Sequence, residues 1–384
     1  MANSINRVYG LDVLRALAIL FVVYGHGYNL VSGDVSLTLY LLPNLDGVTI
    51  FFVLSGFLIG RILLRTMAKH DFDGRMLVQF WIRRWFRTLP NYFAVLIFLV
   101  IAFSLLDRPQ PEGLIRYFFF AQNVAWPQPA FFVEAWSLSI EEWFYLCIPI
   151  PLYLSTKIPN VDKRKLMLFW ISAVIVLVTV FRIYRVQHFG YSTIGDWDEE
   201  LRKQVVTRMD SLMFGVLGAY LSLYEAALWR SVAKPAFLVG IALMVADKAL
   251  SVAENIAYLN YLGLTVGAVA TLLLLPALSA WRDSTGRVTS AITLISVISY
   301  SMYLLHLAPV QGVILPLVTR TVAPICSVCS QNHLLQYAMY WVVTLACSFL
   351  LYRYFERPTT MLRERWHLRN KAAVTAFVLP PPTN

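Results

Sequence analysis

Leu11-Asp-Val-Leu-Arg-Ala-Leu-Ala-Ile-Leu-Phe-Val-Val-Tyr-Gly-His-Gly-Tyr-Asn-Leu-Val31 decides the fold class. It is apolar over the ~20 residues that a helix needs to cross a bilayer. It also carries Asp12, Arg15 and His26, too polar for the apolar core of a cleaved signal peptide, so it reads as a retained transmembrane helix. Nine further apolar runs of spanning length follow, near residues 46–64, 90–106, 136–155, 166–185, 207–224, 234–250, 256–278, 291–313 and 334–354. The expected fold is all-α: a polytopic membrane bundle of about ten transmembrane helices. Composition agrees, since 58% of the 384 residues are hydrophobic and 14% charged, against roughly 45–50% and 25% in soluble domains. An ordinary soluble protein is excluded.

The net charge of +10 raises the question of nucleic acid, and the placement of the charges answers it. With the N-terminus inside, about 22 of the 32 basic residues fall on cytoplasmic segments, the bias that orients membrane proteins. Both termini are therefore expected in the cytoplasm, with no nucleic-acid partner. The opposite loops are poor in Lys and Arg, and one carries the acidic run Asp196, Asp198, Glu199, Glu200. The short apolar segment 115–121 is expected to be interfacial or re-entrant, and the arginine-aromatic segment 80–89 an interfacial helix. The organisation reads as one transmembrane domain over residues 1–356 and a short basic tail over 357–384, ending in a disordered Pro380–Pro382.

Ionisable groups inside spans are expensive unless they face a cavity, a partner or water. Arg15 and His26 are eleven positions apart, an advance that returns to within roughly 20° of the same helix face and separates them by about 16 Å. A long, thin ligand with an anionic head and a reactive end would suit that pair. The plainer use is structural, with Arg15 paired to Asp12 and His26 hydrogen-bonded in the core. Glu141, Glu142 and Tyr145 of the fourth span, Arg208 and Asp210 of the sixth, and Ser299, Tyr303 and His306 of the ninth are expected at the depth of His26. One polar cavity could collect most of them. Imidazole beside a carboxylate suits proton abstraction from a hydroxyl, but a proton or ion relay in a transporter uses the same residue types. Periodicity leaves the two open.

Arg83, Arg84 and Arg87 precede Pro90, and guanidinium pairs suit phosphates; they equally suit anionic lipid at a juxtamembrane position. Gly56 and Gly60 stand at small-xxx-small spacing and predict close helix packing. Cys147 and Cys347 read as small apolar residues. Cys326 and Cys329 lie in an expected external loop where an oxidising compartment could join them. Without further ligands they make no zinc site, and no metal is expected.

In order, these segments resemble the membrane-bound acyltransferase 3 family. The motifs are Leu-Asp-Val-Leu-Arg15 with His26; Phe51-Phe-Val-Leu-Ser-Gly-Phe-Leu-Ile59; Arg84-Trp-Phe-Arg87 leading to Pro90; Trp136-Ser-Leu-Ser-Ile-Glu-Glu142 with Tyr145; Arg208-Met-Asp210; and Ser299-Tyr-Ser-Met-Tyr-Leu-Leu-His306. The resemblance runs from about Leu11 to Pro358. It implies an integral membrane O-acyltransferase of the bacterial cytoplasmic membrane that moves an acyl group, commonly acetyl from acetyl-CoA, to a hydroxyl. The acceptor would be a carbohydrate, a lipid-linked glycan or a small molecule, and acyl-CoA a donor substrate rather than a resident cofactor. A proton-coupled transporter or exporter is the alternative. Many relatives carry an acidic residue where Thr49 stands, with Asp46 one turn away as a substitute. Many also carry a hydrolase-like domain, without which acceptor recognition is expected from loops 107–134 and 188–203.

The resulting expectation assigns acyl-CoA phosphates to Arg15, Arg84 and Arg87, with the pantetheine arm reaching toward His26. His26 is expected as general base, oriented by Glu142 or Asp210, or as a transient acyl carrier. Tyr145 would donate to the thioester oxygen, and His306 would be a second base or an acceptor contact.

Overall fold

Eight helices reach the length and apolarity that a bilayer crossing needs in the computed structural model, which describes residues 7–31, 45–68, 73–322, 324 and 332–362. No strand occurs among the described residues. In chain order the helices that build the site are α1 (Tyr9–Gly27), α2 (Gly47–Met67), α3 (Gly74–Leu105), α4 (Ala135–Cys147), α5 (Pro149–Lys157), α6 (Lys163–Phe189), α7 (Met209–Tyr224), α8 (Ala233–Val252), α9 (Leu264–Ala280), α10 (Arg287–Leu305) and α11 (His333–Leu351). The chain is a multi-pass membrane helix bundle. Two of the ten expected spans fall short of full length. The sixth is the 16-residue α7, and the fourth is divided between α4 and α5, where Pro149 begins a new helix.

The interfacial helix expected over 80–89 is not separate. It is the first half of α3, a 32-residue helix that runs straight through Pro90, a residue that cannot donate to the carbonyl four positions back. The segment expected to be interfacial holds a short helix, Ile115–Phe118, whose Tyr117 is buried and accepts a bond from the Tyr92 hydroxyl at its carbonyl. Helix α10 opens into a π turn, His306–Ile314, with Pro309 inside it. Beyond α11 a second π turn, Tyr352–Glu356, leads into helical residues as far as Leu362. Cys326, Cys329 and the prolines at the end of the chain lie outside the described residues.

Close packing falls where small residues allow it. A Cβ at Gly56 would run into the Leu212 carbonyl oxygen, and one at Gly215 into that of Val53, so α2 and α7 touch backbone to backbone. Gly60 continues the same seam against Val216 and Ala219. This is the helix approach that small-xxx-small spacing permits. Ionic contacts hold the neighbouring seam: Arg182 of α6 meets Asp210 of α7 at 2.8 Å, with side chains 2% and 0% exposed. Removing either partner of such a pair would cost about 3–5 kcal/mol, because the survivor is left charged in an apolar surround.

Candidate active site

Two cavities in the bundle are lined by the candidate residues. The first, about 130 Å³, is lined by Arg15 of α1, by Arg84, Arg87 and Thr88 of α3, by Glu141 of α4, and by Tyr300 and Tyr303 of α10. Asp12 pairs with Arg15 more loosely than with its other partners. It is held by Arg7 at 2.8 and 2.9 Å and by the Ser296 hydroxyl at 2.8 Å, whereas Arg15 stands 3.8 Å away. Arg84 stacks over the Tyr145 ring, 4.0 Å from its centroid, donates to the Tyr145 hydroxyl, and reaches Glu141 at 3.5 Å. Ser55 donates to Glu141 at 3.0 Å, and Thr88 to Glu142 at 2.8 Å. Arg84 Nε and Glu142 Oε2 are buried without a hydrogen-bond partner. A buried polar atom left so is costly, and these two mark where a polar ligand would be accommodated.

Glu142 and Tyr145 therefore belong with the arginines, not with His26 as expected from their place in the chain. Ser137, two residues into α4, already meets the Tyr303 hydroxyl at 2.6 Å. Glu142 lies five residues on, about 8 Å deeper at helical rise, which brings it level with Thr88. The single polar cavity expected from the sequence is two.

The second cavity, about 330 Å³, is lined by His26 of α1, by Asp46 and Thr49 at the start of α2, by Trp197 and Arg202 of the loop after α6, and by Asp247 and Lys248 of α8. Val48 is among the lining residues of both cavities. His26 does not touch Glu142 or Asp210. Its Nδ1 faces Nε2 of His306 at 2.8 Å. The other ring nitrogen of His306, Nδ1, lies 2.8 Å from the carbonyl oxygen of Tyr303 and 3.2 Å from that of Met302.

Carbonyl oxygens only accept, so His306 Nδ1 carries a hydrogen. With both rings neutral, His306 Nε2 is then the acceptor and His26 Nδ1 the donor. The lone pair of His26 is left on Nε2, which has no hydrogen-bond partner among the described residues. His306 is completely buried and lines neither cavity. It reaches a ligand only through His26, not as a second base or an acceptor contact.

Asp210 is likewise turned away from both cavities, bound to Arg182. Arg208 is fully buried and holds Asp46 at 3.6 Å, together with the hydroxyls of Thr49 and Ser211. Asp46 caps α2 by accepting from Val48 N and Thr49 N, and bonds the Thr49 hydroxyl. It shares a cavity with His26, but its bonds go to Val48, Thr49, Arg202 and Arg208 rather than to the imidazole. In the loop, burial raises the Asp198 carboxyl, but the Arg202 and Lys203 cations outweigh it and hold the group below the usual carboxylate range. Asp198 stays anionic at neutral pH, so Arg202 is clamped between Asp198 at 2.8 Å and Asp46 at 3.4 Å.

Sequence reasoning missed several of these groups. Asp247, Lys248 and Glu134 are ionisable residues within or beside apolar runs, and the criterion that selected His26 would have selected them. Glu134 is buried and accepts from Ala308 N at 3.1 and 3.2 Å, tying the start of α4 to the π turn that bears His306. No local signal foretold the partnership of His26 with His306, 280 residues apart.

The family described as an acyltransferase domain matches residues 8–353. A Staphylococcus aureus (strain COL) protein provisionally named an O-acetyltransferase is 29% identical over 57% of this chain and 35% of its own length. The peptidoglycan O-acetyltransferase OatA of Listeria monocytogenes is 34% identical over 38% of this chain and 24% of its own. A Bacillus subtilis protein, YrhL, provisionally named a peptidoglycan O-acetyltransferase, is 33% identical over 37% and 23%. The chain thus spans about a third or less of the length of these curated relatives. No solved structure matches.

Proposed function

The chain belongs to the acyltransferase domain family, and on that premise we propose that it transfers an acyl group, acetyl as in the names of its relatives, from acyl-CoA to a hydroxyl of a carbohydrate or related acceptor. The observation that carries this reading is the open Nε2 of His26 on the wall of a cavity, with the opposite ring nitrogen pinned by His306. In the reaction, Nε2 takes the proton of the acceptor hydroxyl as its oxygen attacks the thioester carbonyl carbon. A carbon–oxygen bond forms and the carbon–sulfur bond breaks. The proton then passes from His26 to the departing thiolate, giving the CoA thiol and the acyl ester. His306 Nε2 accepts from His26 Nδ1–H throughout and stabilises the imidazolium while it lasts, the part that a carboxylate plays in a serine hydrolase.

Arg15, Arg84 and Arg87 line one cavity and suit the phosphates of the donor, because guanidinium groups bind phosphate oxygens in pairs. Tyr145 serves by fixing Arg84, its hydroxyl being engaged with Arg84 and Glu141. Tyr303 shares the cavity wall with Val48 and has its ring centroid 5.7 Å from that of His306. Its hydroxyl, which meets Ser137 and donates to the Glu134 carbonyl, would turn from them to donate to the oxyanion that forms on the thioester. This reading assigns the arginine cavity to the cytoplasmic side, where acyl-CoA is available, and the histidine cavity to the acceptor on the far side of a bacterial cytoplasmic membrane.

The test uses the reconstituted full chain with labelled acetyl-CoA and mass spectrometry of surface glycans. His26→Ala should lower acyl transfer by roughly 10²–10⁴-fold, the usual contribution of a positioned general base, while acetyl-CoA binding persists. Arg84→Ala should weaken acetyl-CoA binding more than acceptor binding. Near-normal transfer by His26→Ala would end the proposal, as would uptake of an unmodified solute into proteoliposomes without acyl-CoA.

A further inference from the structure

The wall of the histidine cavity opposite His26 contains groups that the reaction above leaves unused. Asp247 and Lys248 lie near the end of the apolar helix α8, where an ionised side chain costs several kcal/mol unless something answers it. The Tyr258 hydroxyl donates to one Asp247 oxygen, Oδ1, at 2.6 Å. The second oxygen, Oδ2, has no hydrogen-bond partner among the described residues and faces α9 at Gly267, where a Cβ would stand 3.6 Å from it. The Lys248 ammonium makes no ion pair among the described residues. Trp197, from the loop, completes this wall, its ring held by an indole N–H bond to the Leu259 carbonyl at 2.9 Å.

The chemistry of these groups narrows the ligand. A fatty alcohol needs an apolar wall. A phosphate or a ligand carboxylate would find no surplus of positive charge on this wall. Two carboxylates and two cations, Arg202 and Lys248, leave the lining with no net formal charge. Open acceptors, open donors and a fixed aromatic ring around one space suit a neutral ring that carries several hydroxyls. The volume, about 330 Å³, lies at the small end of ligand pockets, roughly 300–1,000 Å³, and suits one such ring rather than a long oligomer.

Resting on the acyltransferase reading, we infer that this cavity is the acceptor site for a single uncharged sugar ring. Asp247 is its positioning residue: Oδ2 accepts from one ring hydroxyl while His26 Nε2 faces another. Tyr258 orients the carboxylate, and Gly267 keeps room for the ring by having no side chain.

The experiment uses the full chain in lipid nanodiscs and a fixed probe panel. The panel comprises the methyl glycosides of glucose, galactose, mannose and N-acetylglucosamine, with glucuronic acid as the anionic probe and 1-octanol as the apolar alcohol. Binding is followed by calorimetry and, separately, acetyl transfer from labelled acetyl-CoA. At least one neutral glycoside should bind, and Asp247→Ala should weaken it tenfold or more while acetyl-CoA affinity stays unchanged. Should Asp247→Ala fail to fold, Gly267→Leu fills the same space without removing the carboxylate and should weaken the same glycoside to a similar extent.

The inference is overturned if no neutral glycoside binds, if only octanol or glucuronic acid does, or if neither variant changes glycoside affinity. Glycoside binding that responds to Asp247→Ala without any acetyl transfer would uphold this site and overturn the acyltransferase reading. Transfer to a glycoside that ignores both variants would do the reverse.

Discussion

His306 shows how a residue that lines neither cavity can set the hydrogen bonding of one that does. Two backbone carbonyls hold its Nδ1 hydrogen, and the consequence passes through one 2.8 Å bond to set which nitrogen of His26 is basic. His306→Phe, which cannot accept from His26 Nδ1–H, should lower kcat by about 10²–10⁴-fold with little change in KM for acetyl-CoA. That is the scale of loss when a catalytic imidazole is left in the wrong tautomer. His306→Gln, whose amide oxygen can accept, should recover part of that loss; steady-state kinetics on the three proteins checks both. Asp210 makes the opposite case. Its type and span marked it as a candidate to orient His26, yet its Oδ2 pairs with Arg182 and it lines neither cavity. Asp210→Ala should lower stability by about 3–5 kcal/mol, read as a fall in thermal midpoint in detergent.

Among the elements, α2 and α7 show which packing features a sequence carries openly. Gly56 and Gly60 were readable as a contact face because only a missing side chain permits backbone approach, and the seam forms against Leu212, Val216 and Ala219. Gly56→Leu should therefore separate the two helices and reduce the yield of folded, monodisperse protein, checked by size-exclusion chromatography. The common face of Arg15 and His26 was readable from the helical period alone, since both ride on the unbroken α1. Depth across different helices was not readable. Helix α4 starts at the fully buried Ala135, which brings Glu142 to Thr88 and Tyr145 to Arg84. Hydropathy places a span to within a few residues, and a shift of five residues moves a side chain by about 8 Å.

For the whole molecule the decisive feature is that Val48 lines both the arginine cavity and the histidine cavity. On the proposed reading, a thioester held in one and a hydroxyl held in the other would react past that side chain. Val48→Trp should abolish transfer while leaving acetyl-CoA binding intact, and Val48→Ala should leave transfer working; parallel binding and turnover measurements separate the two effects. The sequence by itself determined the helical membrane bundle, the charge pattern along it, the family and the Arg15–His26 pair. These depend on hydropathy, local period and short motifs, all of which are properties of contiguous residues. The tertiary structure alone decided that His26 pairs with His306, that Asp210 is structural, that the polar groups divide between two cavities, and that Asp247 faces the space beside His26. Those outcomes depend on the rotation and depth of one helix against another. The packing of many side chains sets them, and no single segment encodes them.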